Sequence, residues 1–179
     1  PEVCTALLVN GRLRGGRIEW AITGAFGDNL DEPAQRLAEK SGLRVSDVAA
    51  LRELGICINY NGYGPSLDDL HFHPDALYES LLEAERPQAF LNSSTFRKLQ
   101  QGYTQDLAAC AALKPVVEQP AFAVYQLPNA SWARRVSGEF SNDLVRAYPE
   151  RAHAVLTERD DDSFLVSVRA PFERRTGAE

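Results

Sequence analysis

Methionine is missing from all 179 residues, and the chain opens on Pro1. The first stretch, PEVCTALLV, already reads as the inside of a structured element, so a section of a longer or processed protein is expected. Cysteine is scarce. Cys4, Cys57 and Cys110 lie far apart with no CxxC spacing, which excludes a disulfide framework and points to a reducing, cytoplasmic setting. Each has apolar neighbours, the habit of a buried structural thiol rather than a nucleophile. No apolar run approaches the roughly 18 residues of a membrane span, and PEVCTALLV lacks the pattern of a secretory signal, so no membrane partner is expected.

Lysine is nearly absent: Lys40, Lys98 and Lys114 stand alone, and arginine supplies the rest of 19 basic residues against 25 acidic ones. The net charge of −6 argues against a large duplex-binding surface while leaving room for a small local basic patch. GxSxG, HExxH, a Walker loop and a dinucleotide fingerprint are all missing, and so are internal repeats and low-complexity segments. What remains is ordinary for a globular chain, 44% hydrophobic and 25% charged.

Residues 2–10 pattern as a short helix, broken by Gly15 and Gly16. Residues 18–27 fit a buried helix or a strand, since the small residues Gly24, Ala25 and Gly27 suit both. Asp31 and Pro33 mark a helix start, and Gly42 its end. Ser46 opens a further helix that Gly55 closes, and ICINYNGYG follows as an ordered loop. Pro74 starts HPDALYESLLEA, and the longest helical pattern covers 95–113, with Phe96, Leu99, Tyr103, Leu107 and Cys110 on one face. KPVVEQPAF, with two prolines, is the best domain boundary. Beyond it AFAVYQL reads as a strand, SWARRVSGEFSNDLVRAY as a helix, and AHAVLTE and FLVSVRA as strands joined by DDDS. The fold class is therefore α+β: a mostly helical N-terminal part, then a small β-α-β-β domain.

Four places carry candidate chemistry. Asp28, in AFGDN, is a lone acid where a buried segment surfaces; a helix-end acid and a metal ligand are the two readings. DDLHFHPD sets His71 and His73 two apart among Asp68, Asp69 and Asp75. On a strand the histidines would share a face and be able to ligate; in a loop entering a helix they or the aspartates would cap it. The glycines of NYNGYG would let backbone approach a phosphate, or simply form a loop that holds two tyrosines. In SVRAP, Ser167 and Arg169 share the face opposite Val166 and Val168. Arg169 there suits either bidentate phosphate binding or plain solvation.

Together ITGAFGDNL, LRELGICINYNGYG with DLHFHP, RRVSGEFSNDLVRAYPERAHAVLTE and FLVSVRAP resemble bacterial DHH-superfamily phosphoesterases. The nearest match is a proteobacterial subgroup sometimes labelled acetyltransferase-related. The resemblance implies a divalent metal, manganese or magnesium, in the full-length protein, with Asp28 as one ligand in the last acidic motif of the catalytic lobe. It implies a short oligonucleotide or nucleotide as partner, held by Ser167 and Arg169 on the substrate-binding strand, and it is compatible with a homodimer. The family's Asp-x-Asp and Asp-His-His motifs and its glycine-rich motif are absent. The expected layout is thus a remnant of the catalytic lobe (1–34), a helical connector (35–115) and a partial substrate-binding domain (116–179), inactive alone. The alternatives are a non-catalytic nucleotide- or protein-binding module and, taking the label literally, an acetyltransferase-related protein.

Overall fold

The computed structural model describes residues 2–171. Helices come first and a four-stranded sheet last, the α+β arrangement the sequence implies. Two compact units form. One holds the residues through Gly62 together with His71–Tyr103; the other holds Tyr63–Leu70 with the residues from Thr104 onward. Among the described residues no helix is long and apolar enough to cross a membrane.

The first unit contains α1 (Thr5–Arg12), α2 (Ile18–Gly27), α3 (Asp31–Lys40), α4 (Val45–Tyr60), α5 (Pro74–Leu82), α6 (Pro87–Leu91) and the start of α7 (Ser94–Ala111). Residues 18–27 are helical, with Ala21, Ile22, Ala25 and Phe26 buried. Their small neighbours serve packing. A Cβ on Gly24 would lie 2.6 Å from the Ala6 Cβ of α1, and one on Gly27 2.8 Å from the Gly55 carbonyl oxygen of α4. A Cβ on Gly55 would lie 2.1 Å from the Thr23 carbonyl oxygen. The α2 and α4 backbones therefore touch, which only glycines permit. This corrects the expected helix stop at Gly55: α4 runs on through ICINY to Tyr60, and the loop begins at Asn61. Contact with α2 outweighs the low helix propensity of glycine.

Two apolar clusters hold this unit. Ile22, Phe26, Leu30, Ala34, Val48 and Leu51 form one. Leu54, Cys57, Leu77, Phe90, Phe96 and Leu99 form the other. Asn61 is buried and pairs twice with the backbone of Phe72: its Nδ2 donates to the Phe72 carbonyl at 2.9 Å and its Oδ1 accepts from the Phe72 N–H at 3.0 Å. That clasp closes the base of the excursion made by Tyr63–Leu70.

The second unit is built on β1 (Val117–Glu118), β2 (Phe122–Leu127), α8 (Ser131–Ala147), β3 (Ala152–Glu158) and β4 (Phe164–Arg169), in sheet order β1-β2-β3-β4. β2 and β3 are parallel, as the α8 crossover requires, and the outer pairs are antiparallel. α8 buries Ala133, Val136, Phe140 and Leu144 on the face carrying Ala123, Tyr125, Leu127 and Val155. The Tyr125 and Phe140 rings meet edge to face at 5.2 Å. Two ion pairs, one buried and one part-buried, complete the unit. Arg135 forks onto Asp106 at 2.7 and 3.0 Å, and Arg134 onto Asp69 Oδ1 at 2.9 and 2.6 Å. Asp69 comes from a single 3₁₀ turn, Leu67–Asp69, in the Tyr63–Leu70 excursion.

The proline-rich KPVVEQPAF contains β1, which the prolines hide in the sequence. The compact units meet along the chain inside α7, between Tyr103 and Thr104, rather than at the prolines. Residues 1–34 likewise share one core with what was expected to be connector, since Leu30 and Ala34 pack in the cluster that holds Leu51.

Candidate functional site

Asp28 closes α2. Its N–H donates to the Gly24 carbonyl at 3.0 Å. Asn29 then takes a left-handed conformation (φ 58°), its N–H reaching Phe26 at 3.1 Å while Leu30 N–H reaches back to Ala25 at 2.9 Å. This is a Schellman closure, with asparagine where glycine is commoner. Asn29 thus explains half of AFGDN. Asp28 is left without a capping role, and a carboxylate at a helix C-terminus opposes the dipole, which favours cations there.

Asp28 is exposed at a cleft of ≈ 360 Å³ in the first unit, whose lining includes Trp20, Thr23, Gly27, Gly55 and Asn59. Among the described residues it is the only carboxylate lining that cleft. Hard divalent cations take six or more oxygen ligands, usually with several carboxylates. Among the described residues no group of three or more His, Cys, Asp or Glu could hold a metal ion. These residues therefore do not fit a manganese or magnesium centre on their own.

DDLHFHPD is not a strand, so His71 and His73 take separate roles. His73 caps α5, its Nδ1 accepting from the Asp75 N–H at 3.4 Å ahead of Pro74. His71 is half-buried against α7, where a Cβ on Gly102 would stand 2.3 Å from its Cε1. Gly102 therefore makes room for this imidazole, whose ring centroid lies 6.2 Å from that of Tyr60. Tyr60 itself is buried and meets Tyr103 edge-on at 4.9 Å, so the first tyrosine expected in a loop is a core residue.

Ser167 and Arg169 lie on β4 on the α8 side of the sheet, and Val166 and Val168 on the other, the alternation read from the sequence. Arg169 is held by neutral oxygens. Its Nη1 donates to Ser167 Oγ at 3.1 Å and to the Val168 carbonyl at 3.2 Å, and its Nε approaches Asn142 Oδ1 at 3.4 Å. Ser167 Oγ in turn lies 3.3 Å from Ser141 Oγ. Among the described residues no carboxylate forms a salt bridge with Arg169, whereas Arg134, Arg135, Arg146 and Arg151 each have one. Sequence reasoning did not find Asn142 or Ser141. The helical phase of SWARRVSGEFSNDLVRAY, with Ser141 one residue after the buried Phe140, was the available signal.

Three further ionisable groups, Cys57, Cys110 and Asp69, are structural. Burial pushes the Cys57 and Cys110 thiols up to about 12, leaving them unreactive. Hydrogen bonding from Arg134 holds the Asp69 carboxyl below its ordinary value. Asp69, Arg134 and Asn129 also line a ≈ 430 Å³ cleft of the second unit with Arg159 and Asp160, beside the carboxyl ends of β2 and β3.

No protein-family model matches this chain, and no curated protein sequence matches it.

Proposed function

We propose that this chain is the substrate-holding part of a DHH-type, metal-dependent phosphoesterase that acts on short oligonucleotides or small nucleotide phosphodiesters. Arg169 grips a phosphate, with Ser167 beside it. Asp28 contributes one carboxylate to a manganese or magnesium centre whose other ligands come from outside these 179 residues.

The observation that supports this reading is the environment of Arg169. Among the described residues this guanidinium is held by a hydroxyl, an amide and a carbonyl oxygen, oriented but not neutralised. Its charge is left for an anion, and its planar fork matches two phosphate oxygens. The Ser167 hydroxyl supplies a further donor at the same place. Asp28 adds support of a different kind, since neither capping nor the helix dipole accounts for an acid there. A two-metal centre would supply the nucleophilic hydroxide and offset charge in the transition state. One carboxylate cannot assemble it, so the chain alone binds substrate without hydrolysing it. A second reading, a non-catalytic nucleotide-binding module, keeps Arg169 and dispenses with Asp28; the lack of a second carboxylate in the Asp28 cleft among the described residues favours it.

The test is fluorescence anisotropy with a labelled dinucleotide. Losing charge-assisted hydrogen bonds worth about 1.5–3 kcal/mol, Arg169→Ala should weaken binding roughly 10- to 100-fold. Arg169→Lys should recover part of it, with urea midpoints unchanged. Equal affinity of wild type and Arg169→Ala would remove Arg169 from the site. In the longer protein, Asp28→Ala should sharply lower manganese-dependent hydrolysis while leaving dinucleotide affinity in place. Unchanged hydrolysis there would favour the second reading.

A further inference from the structure

The cleft beside Asp28 is mostly apolar and lies within the first unit. Its ≈ 360 Å³ falls inside the roughly 300–1,000 Å³ usual for small-molecule sites. Ala6, Trp20, Ile58 and Leu81 line it with apolar side chains. The Trp20 indole uses its only N–H outside the cleft, on the Glu85 carbonyl at 3.2 Å, so what it adds to the lining is apolar ring. Thr23 donates its hydroxyl to the Glu19 carbonyl at 2.9 Å, one turn back in α2. Asp28 differs from both. Among the described residues its carboxylate has no hydrogen-bond partner and no ion pair, and no lysine or arginine lines the cleft. It also stands at the C-terminus of α2, the negative end of the helix dipole.

We infer that this cleft binds a small organic cation, a single ammonium group carried on a compact apolar or aromatic body. Each part of that ligand answers a feature of the cleft. One carboxylate balances one positive charge, and the end of α2 adds to the attraction. A hard divalent ion needs several oxygen ligands and finds a single carboxylate here. An ammonium needs only one charged acceptor, and its other donors reach water where Asp28 is exposed. The indole is the aromatic side chain that attracts cations best, and the apolar lining removes the body of the ligand from water. An anion is excluded, because it would meet both Asp28 and the negative end of α2 with no cation lining the cleft to offset them. The nucleotide therefore stays with Arg169, which belongs to the other unit. This inference rests on the second reading of function, in which Asp28 takes no part in a metal centre. It gives that reading a role for the acid that closes α2.

Titration of the full chain with phenethylammonium tests this, followed by Trp20 fluorescence in a Trp132→Phe background. A saturable change is expected. Phenethyl alcohol, the same body without the charge, and methylammonium, the charge without the body, should each bind at least tenfold more weakly. Asp28→Asn, at an exposed helix end where the urea midpoint should stay near wild type, should weaken phenethylammonium at least tenfold. Asp28→Glu should keep part of the affinity, and added salt should lower it. A titration without saturation would overturn the inference, as would equal affinity for the alcohol or binding indifferent to Asp28→Asn. So would manganese that displaces the amine in an Asp28-dependent way, which would return the acid to a metal centre. Dinucleotide anisotropy separates this inference from the reading beneath it. Arg169-dependent dinucleotide binding with no amine bound sinks the cation site alone. Dinucleotide binding that ignores Arg169→Ala sinks the second reading, while an Asp28-dependent amine signal still registers.

Discussion

Replacing Gly55 by alanine tests the helix contact on which the first unit is built. The added Cβ would stand 2.1 Å from the Thr23 carbonyl oxygen and 2.9 Å from the Gly27 nitrogen. Heavy atoms in van der Waals contact stay about 3.5 Å apart, so α2 and α4 must separate locally by about an ångström. Both obstructing atoms are backbone, and no rotamer change relieves them. Overpacking costs roughly 1–3 kcal/mol, and a backbone clash belongs at the upper end, about 3. Alanine returns about 1 kcal/mol of helix propensity, leaving a loss of about 2. For a unit of this size that lowers the melting temperature by about 10 °C. Gly138→Ala is the control: it sits in α8, where an added Cβ meets nothing within 4 Å, and it should stabilise by about 0.5–1 kcal/mol. The assay for Gly55→Ala is urea unfolding followed by Trp20 fluorescence in a Trp132→Phe background, so that the signal comes from the first unit; the control is followed by Trp132 fluorescence in a Trp20→Phe background, which reports the second unit. A Gly55→Ala midpoint equal to or above the parent would refute the reasoning, because it would mean that α2 and α4 do not meet backbone to backbone.

Two further outcomes concern the second unit. Asp106→Ala leaves Arg135 buried without its carboxylate and should cost about 3–5 kcal/mol, read from Trp132 fluorescence in urea; Arg135→Met in the same chain should recover a good part of it. His153 is buried beside Arg151, its Nε2 facing the Tyr148 carbonyl at 3.3 Å, and burial lowers its pKa below the ordinary 6.5. The unfolded chain therefore takes up a proton that the folded one refuses. Stability is full above about pH 6.5, falls as pH drops toward the folded pKa, and then levels. Urea midpoints measured between about pH 8 and pH 5 should show this fall, and His153→Gln should flatten it.

Periodic segments were legible in the sequence because burial of one face dictates their pattern. α8 could be read from Trp132, Val136, Phe140 and Leu144, and β3 and β4 from alternation around DDDS. The failures share a cause: glycine and proline act locally in the chain but are chosen by tertiary contact. Gly55 looks like a helix end and is a helix crossing. Gly102, which drew no notice in the helical pattern of 95–113, is the seat of His71. Pro115 and Pro120 look like a linker and flank a two-residue strand. α6, only five residues long, has no periodicity to detect. Of the candidate site, the shared face of Ser167 and Arg169 followed from strand alternation. The oxygens that hold Arg169 did not, since Asn142 lies 27 residues away and only the fold brings it near.

The Asn61–Phe72 clasp has a consequence for how this protein can be made and cut. Eight residues that belong to the second unit leave the ribosome in the middle of the first, and their base can be tied off once Phe72 has followed them. Asp69 must wait for Arg134, 65 positions later, before its charge is matched. Expressing residues 116–179 by themselves would strand Arg134 and Arg135 without Asp69 and Asp106. No single cleavage yields either unit whole, so a dissection that respects the fold must splice the Tyr63–Leu70 loop onto the piece that starts within α7.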